Sequence, residues 1–189
     1  MNTVGRQPMD GWHTLSWQKI ARGVFKLQKR MYRAQCCGNV RRVRSRQRLL
    51  MTSRSAQLVA VRRVTQDNQG KKTAGVDGRQ SFTPAQRLAL VNTRRLHHAA
   101  QPVRRVWIPK PATDEQRPFG IPTIFDRARQ ALGKRTLEPP WEARFAPNSY
   151  GLRPGRSTWD AIGAIYVGIN QKPTWVLDAD SAKGFDPAC

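Results

Sequence analysis

The sequence predicts an α/β chain of the α+β kind: a basic helical N-terminal extension, then a smaller mixed region of helices and short strands. Apolar residues recur at helical spacing over about 15–34 and again within 40–65. The runs RRVWI at 104–108 and TWVL at 174–177 read instead as short strands set among helical stretches. The charge is also split along the chain. Residues 1–110 carry 24 Lys and Arg against Asp10, Asp67 and Asp77, a balance of +21. Residues 111–189 carry ten against nine acids, a balance of +1.

Each element has a local reason. Residues 1–11 read as a loose start. Trp17, Ile20, Ala21, Val24, Leu27 and Met31 line one side of a helix over Leu15–Ala34, and cations take the other positions. Gly38-Asn39 is a break. A second helix is expected from Val40 to about Thr65, with Leu50, Ala56, Leu58, Val61 and Val64 as its apolar set. The two make a hairpin with one apolar seam. Residues 67–78 (DNQGKKTAGVDG) are a loop by composition. Thr83-Pro84 is an N-cap followed by proline at the first helical position, opening a helix to about His97.

Arg104–Ile108 and Pro118–Ile121 read as two strands of a β-hairpin with Lys110 and Arg117 near its tip. Asp126–Leu137 is expected to be a helix stopped by Glu138-Pro139-Pro140. Pro147–Ser157 is a Gly/Pro loop, and Ser157 or Thr158 caps a helix running to about Asn170 with Asp160 in its first turn. The strand at 174–177 then delivers Asp178 and Asp180.

The formal charge of +22 demands a polyanion, and nucleic acid is the usual one. Between Trp12 and Gln66 stand fourteen basic residues and no acid, whereas a merely solvated face mixes its signs. Lys26, Lys29, Arg30, Arg33, Arg41, Arg42, Arg44, Arg46, Arg48, Arg62 and Arg63 are the expected RNA-binding residues. Cys36, Cys37 and Cys189 form no metal-binding spacing and read as inert thiols. No apolar stretch spans a membrane and no signal peptide opens the chain, so a cytoplasmic location is expected, with an organellar one left open.

An apolar strand ending in carboxylates holds them at a rigid edge, where they suit hard cations such as Mg²⁺. Asp178 and Asp180 point the same way along such a strand. Solvated acids at a strand-end turn are the alternative reading.

The chain resembles the group II intron-encoded reverse transcriptase/maturase family from about Trp17 to Asp186. NQGKKTAGVDG at 68–78 is similar to the segment before the family's fingers. RVWIPKP at 105–111 through RPFGIPT at 117–123 is similar to its first polymerase block, and Asp126-Arg127 to the following helix. NSYGLRPGRS at 148–157 resembles the second block. VLDAD at 176–180 through Phe185-Asp186 resembles polymerase motif A. Leu152, Trp159 and Ser181 depart from the family pattern.

The resemblance implies a basic helical N-terminal extension at 1–66, fingers at 67–147 and the start of a palm at 148–189. Asp180 would be the catalytic residue and, with the carbonyl of Ser181, would hold Mg²⁺. Lys110 and Arg117 would grip the incoming triphosphate. Ser181 would border that nucleotide, and Phe185 would lie under its sugar and reject a 2′-hydroxyl. RNA, as group II intron RNA or as template, is the implied partner, with DNA a further one.

The family's YADD-type tetrapeptide does not occur among the 189 residues. The chain therefore reads as an RNA-directed DNA polymerase fragment truncated after motif A, which binds structured RNA without polymerising alone. A separate polypeptide completing the palm and thumb is one way to restore activity. A stand-alone RNA-binding splicing factor and an unrelated basic RNA-binding protein are the alternatives. Trp175–Asp180 is expected to be an unprotected edge strand in a marginally stable, aggregation-prone segment.

Overall fold

A computed structural model describes residues 11–92, 99–109, 111, 114–170, 173, 175–177 and 179. The chain divides into two compact units, one up to Arg144 and one from Phe145.

The first unit opens on Trp12, whose buried indole donates from Nε1 to Gln66 Oε1 at 3.2 Å and meets Trp17 edge-on at 4.8 Å. Helix α1 (Trp17–Cys36) buries Val24, Met31 and Ala34. It ends where Gly38 takes φ +67. The Gly38 amide donates to Gln35 O and the Asn39 amide to Ala34 O, both at 2.9 Å, so a left-handed glycine closes the helix. Asn39 at once caps α2 (Val40–Thr52), its side chain accepting from the Arg42 amide at 3.0 Å.

The single helix expected over 40–65 is two. Ser53 adopts extended backbone with ψ 121 between α2 and α3 (Arg54–Arg62). Gln57 Nε2 donates to Met51 O at 3.4 Å, which supplies a donor at the interrupted ladder. A π-turn over Arg63–Asp67 and a 3₁₀ turn over Gln69–Lys72 lead to α4 (Pro84–Asn92). Thr83 and Gln86 cap α4 reciprocally, each amide donating to the other side chain. The remainder of the helix expected to His97 lies outside the described residues.

Strands β1 (Arg104–Pro109) and β2 (Gln116–Ile121) pair antiparallel, with Ile108 opposite Arg117 and Val106 opposite Phe119. They form the one sheet among the described residues.

Helix α5 (Ile124–Glu142) carries the core of this unit. Leu132 joins Val24, Met31, Leu50, Ala56 and Ala60, Ala128 joins Trp12, Leu58, Val61 and Val91, and Ile124 joins Val64 and Phe82. The cationic helices and α5 therefore share one interior.

Pro139 and Pro140 were expected to stop this helix, but α5 runs through them to Glu142. A proline in a helix has no amide for the carbonyl four residues back. Here those carbonyls belong to Arg135 and Thr136. Gln28 Nε2 of α1 donates to Arg135 O at 3.0 Å, and Gln47 Nε2 of α2 reaches Thr136 O at 3.5 Å. Two glutamines from other helices replace the donors that the prolines lack.

In the second unit, Ser157 and Asp160 form a capping box on α6 (Thr158–Ile169): each backbone amide donates to the other's side chain. Arg153 Nη1 donates to Ala146 O and Ser149 O at 2.7 and 2.6 Å, closing the turn before α6. Trp175–Leu177 are exposed and form no strand, in contrast to the expectation for 174–177, because a strand needs a hydrogen-bonding neighbour.

Candidate nucleic-acid interface

The cationic surface is built on α1 and α2. Val24, Met31 and Ala34 of α1 and Val43 and Leu50 of α2 turn inward. Helical geometry then turns most of the basic positions between them outward. Lys26, Lys29, Arg30 and Arg33 are exposed on α1, and Arg41, Arg42, Arg44 and Arg48 on α2; Arg46 is half-buried. With no acid between Trp12 and Gln66, this surface has one sign throughout both helices. The tight turn at Gly38-Asn39 brings the end of one cationic run to the start of the next.

Arg62 and Arg63 fare differently. Arg63 is exposed. The Arg62 guanidinium lies 4.7 Å from the Trp17 ring centre, and its Nε stands 3.5 Å from Asp67. Arg62 is therefore engaged inside the fold, and sequence alone gave no sign of that partner. Arg54, beside the run, is exposed as well.

A second positive feature is the β-hairpin. Because facing residues in an antiparallel pair share a side, Arg117 lies with Ile108, Val106 and Phe119 on one face of the ribbon. All four are exposed. Trp107 and Arg105 occupy the opposite face. Lys110, the other expected triphosphate ligand, lies outside the described residues.

The hairpin enters α5 through a polar hub. Thr123 caps the helix, its Oγ1 accepting from the Asp126 amide at 3.1 Å and donating to Asp126 Oδ2 at 2.8 Å. Buried Asp126 also accepts from the Gln101 amide at 3.2 Å and faces Arg129 at 3.6 Å.

One turn on, Arg127 ties the 68–78 loop to this point. Its Nε donates to Pro122 O at 2.9 Å, its Nη1 to Gly70 O at 2.9 Å, and its Nη2 to Thr73 O. Burial lowers the Arg127 pKa, Asp77 opposes that shift, and Arg104 adds to it. Gly75 completes the docking. A Cβ there would stand 2.7 Å from Thr123 Cα and 2.8 Å from its amide nitrogen, closer than a side chain tolerates. The motif at 68–78 is local in sequence, whereas its fastening by Arg127 depends on a contact 57 residues away.

Half-buried Arg135 adds positive charge near Arg63. Burial and then that like charge lower its pKa, while Glu138 and Asp67 raise it.

Among the described residues, no three His, Cys, Asp or Glu side chains gather to hold a metal ion. Asp178, Asp180, Ser181 and Phe185 lie outside the described residues. Cys36 and Cys37 are free and exposed. No described helix is long and apolar enough to cross a membrane.

Residues 12–93 match the family described as the N-terminal domain of reverse transcriptase, and residues 108–187 match reverse transcriptase (RNA-dependent DNA polymerase). The chain is similar to protein YkfC of Escherichia coli K12, with 34% identity over 151 residues, covering 74% of this chain and 39% of that protein. It is 32% identical over 165 residues to Maturase-like protein 1 of Euglena gracilis, covering 82% of this chain and 34% of the relative. Over 86 residues it is 36% identical to the group II intron-encoded protein LtrA of Lactococcus lactis subsp. cremoris, covering 46% and 14% respectively. The chain thus spans about two fifths or less of the length of each of these relatives.

Proposed function

Because this chain belongs to the group II intron reverse transcriptase/maturase family, as an N-terminal portion of it, we propose that it grips structured RNA through α1 and α2 and offers the β-hairpin to an incoming nucleotide. The acid-free cationic surface of α1 and α2 carries this reading. Phosphate contacts by such a surface release counterions, which makes binding steeply dependent on salt.

Replacing Arg41, Arg42, Arg44, Arg46 and Arg48 together with glutamine is the direct test. Each lost phosphate contact flattens the log–log salt dependence by roughly 0.7–0.9. An unchanged slope would remove α2 from the interface.

The nucleotide-facing role rests on Arg117, exposed on β2 beside three apolar side chains. Its planar fork suits phosphate oxygens two at a time. Lys110 would join it from the same hairpin. Asp180 and the Ser181 carbonyl would hold Mg²⁺, which supplies charge neutralisation at the transferring phosphoryl group, and Phe185 would sit under the sugar. The 189 residues contain no YADD-type tetrapeptide. We therefore expect this segment alone to give no templated primer extension in Mg²⁺ or Mn²⁺; extension products would overturn that part.

The similarity to Maturase-like protein 1 over 82% of the chain favours a second reading, assistance to RNA folding or splicing without synthesis. Preference for folded intron RNA over bulk RNA of equal length would favour it.

A further inference from the structure

The outward side of α1 is not purely cationic. Phe25 is 63% exposed and Tyr32 is 42% exposed. They stand seven residues apart, two helical turns, with Lys29 between them, so all three fall in one row. Arg22, Lys26 and Arg33 run along one side of that row and are exposed too. The rings stand roughly 10 Å apart along the helix axis at 1.5 Å per residue. The opposite side of the helix already supplies the apolar residues that the core takes. An aromatic row bordered by cations, in a segment without acids, offers ring faces and phosphate ligands together.

We propose that the row Phe25–Lys29–Tyr32 is a stacking site for unpaired nucleobases, with Arg22, Lys26 and Arg33 holding the adjoining phosphates. This deepens, and rests on, the reading of α1 and α2 as an RNA-binding surface. Charge selects the occupant, since an all-positive border suits a polyanion. The rings then select among nucleic acids. In a duplex each base face is covered by its neighbours, whereas a loop or bulge leaves faces free to stack on an aromatic side chain. The preferred ligand is therefore a structured RNA that presents a single-stranded loop. A spacing of roughly 10 Å matches about three steps of a stacked strand at 3.4 Å each.

The test uses the 189-residue chain and two RNAs with equal numbers of phosphates. One is a hairpin with 2-aminopurine in its loop; the other is a blunt duplex. F25A/Y32A is expected to weaken hairpin binding by roughly 5- to 150-fold for each stack lost. Duplex affinity and the salt slope stay within about twofold, because the phosphate contacts remain. Quenching of 2-aminopurine, seen with the wild type, disappears.

F25W/Y32W restores hairpin binding and quenching, while F25L/Y32L does not, which separates ring stacking from apolar contact. Circular dichroism checks that each variant is folded. Equal losses on both RNAs, no loss on either, or full function of the leucine pair overturns the stacking site. So does a change in association state with RNA binding intact, because the row would then be a protein contact. If the wild type shows no salt-dependent binding to either RNA, the underlying reading of α1 and α2 fails as well.

Discussion

Arg127→Ala should loosen the attachment of the 68–78 loop to the start of α5. The guanidinium donates to three carbonyls, those of Pro122, Gly70 and Thr73. A hydrogen bond from a charged donor contributes about 1.5–3 kcal/mol net, so three set a ceiling of roughly 4.5–9 kcal/mol. Two effects reduce it. Gly70 and Thr73 are half-buried, so water can reach their carbonyls once the side chain is gone. The variant also escapes the cost of desolvating the guanidinium, the burial that lowers its pKa.

A net loss of about 3 kcal/mol remains, a large share of the usual 5–15 kcal/mol that holds a domain together. For a chain of this size that corresponds to a fall in Tm of roughly 6–12 °C. Thermal unfolding followed by circular dichroism reads the total. Amide exchange at Lys71 and Thr73, whose amides donate to Asn68 O and Gly70 O, reads the loop itself. Arg127→Lys should recover little, since an ammonium lacks the rigid fork that lets the guanidinium reach all three carbonyls at once. A fall in Tm below about 2 °C, with exchange at those amides unchanged, would refute the fastening role.

Gln28→Ala should cost about 1–3 kcal/mol by orphaning the Arg135 carbonyl, and Gln47→Ala less because its bond is longer; denaturant midpoints at constant m-value check both. Gly75→Ala should cost about 1–3 kcal/mol by forcing the loop off the Thr123 backbone, read as faster exchange at Lys71 and Thr73. Hydrogen bonds from the Ser157 side chain and amide lower the Asp160 pKa, so their support of α6 is complete above the ordinary carboxylate pKa of about 4. That support is lost as pH falls through the depressed value. Amide exchange in the first turn of α6 should accelerate in acid, and Asp160→Asn should abolish the acid dependence.

Much of the fold was legible because its signals are local. The apolar spacing of Trp17, Ile20, Val24, Leu27 and Met31 marks α1, Gly38-Asn39 marks its end, and Ser157 with Asp160 marks the start of α6. The break at Ser53 carries no glycine or proline, so nothing in that stretch announces it. The passage of α5 through Pro139-Pro140 defeats a local rule for a non-local reason, since the compensating donors come from 107 and 89 residues away. At the candidate interface, the sign and extent of the charge were readable. The engagement of Arg62 with Trp17 and Asp67 and the outward turn of Phe25 and Tyr32 were not, because exposure depends on which side of α1 the core occupies.

The two glutamines that stand in for the missing proline amides of α5 also bear on the order in which the helices form. A helix interior normally completes its ladder from its own backbone, but the stretch around Arg135–Pro140 draws on side chains from α1 and α2. Its last turns are therefore most stable against a hairpin that already exists. A chain emerging from the ribosome presents α1 and α2 before α5. Of these helices, the pair made earlier thus offers the donors that complete the one made later.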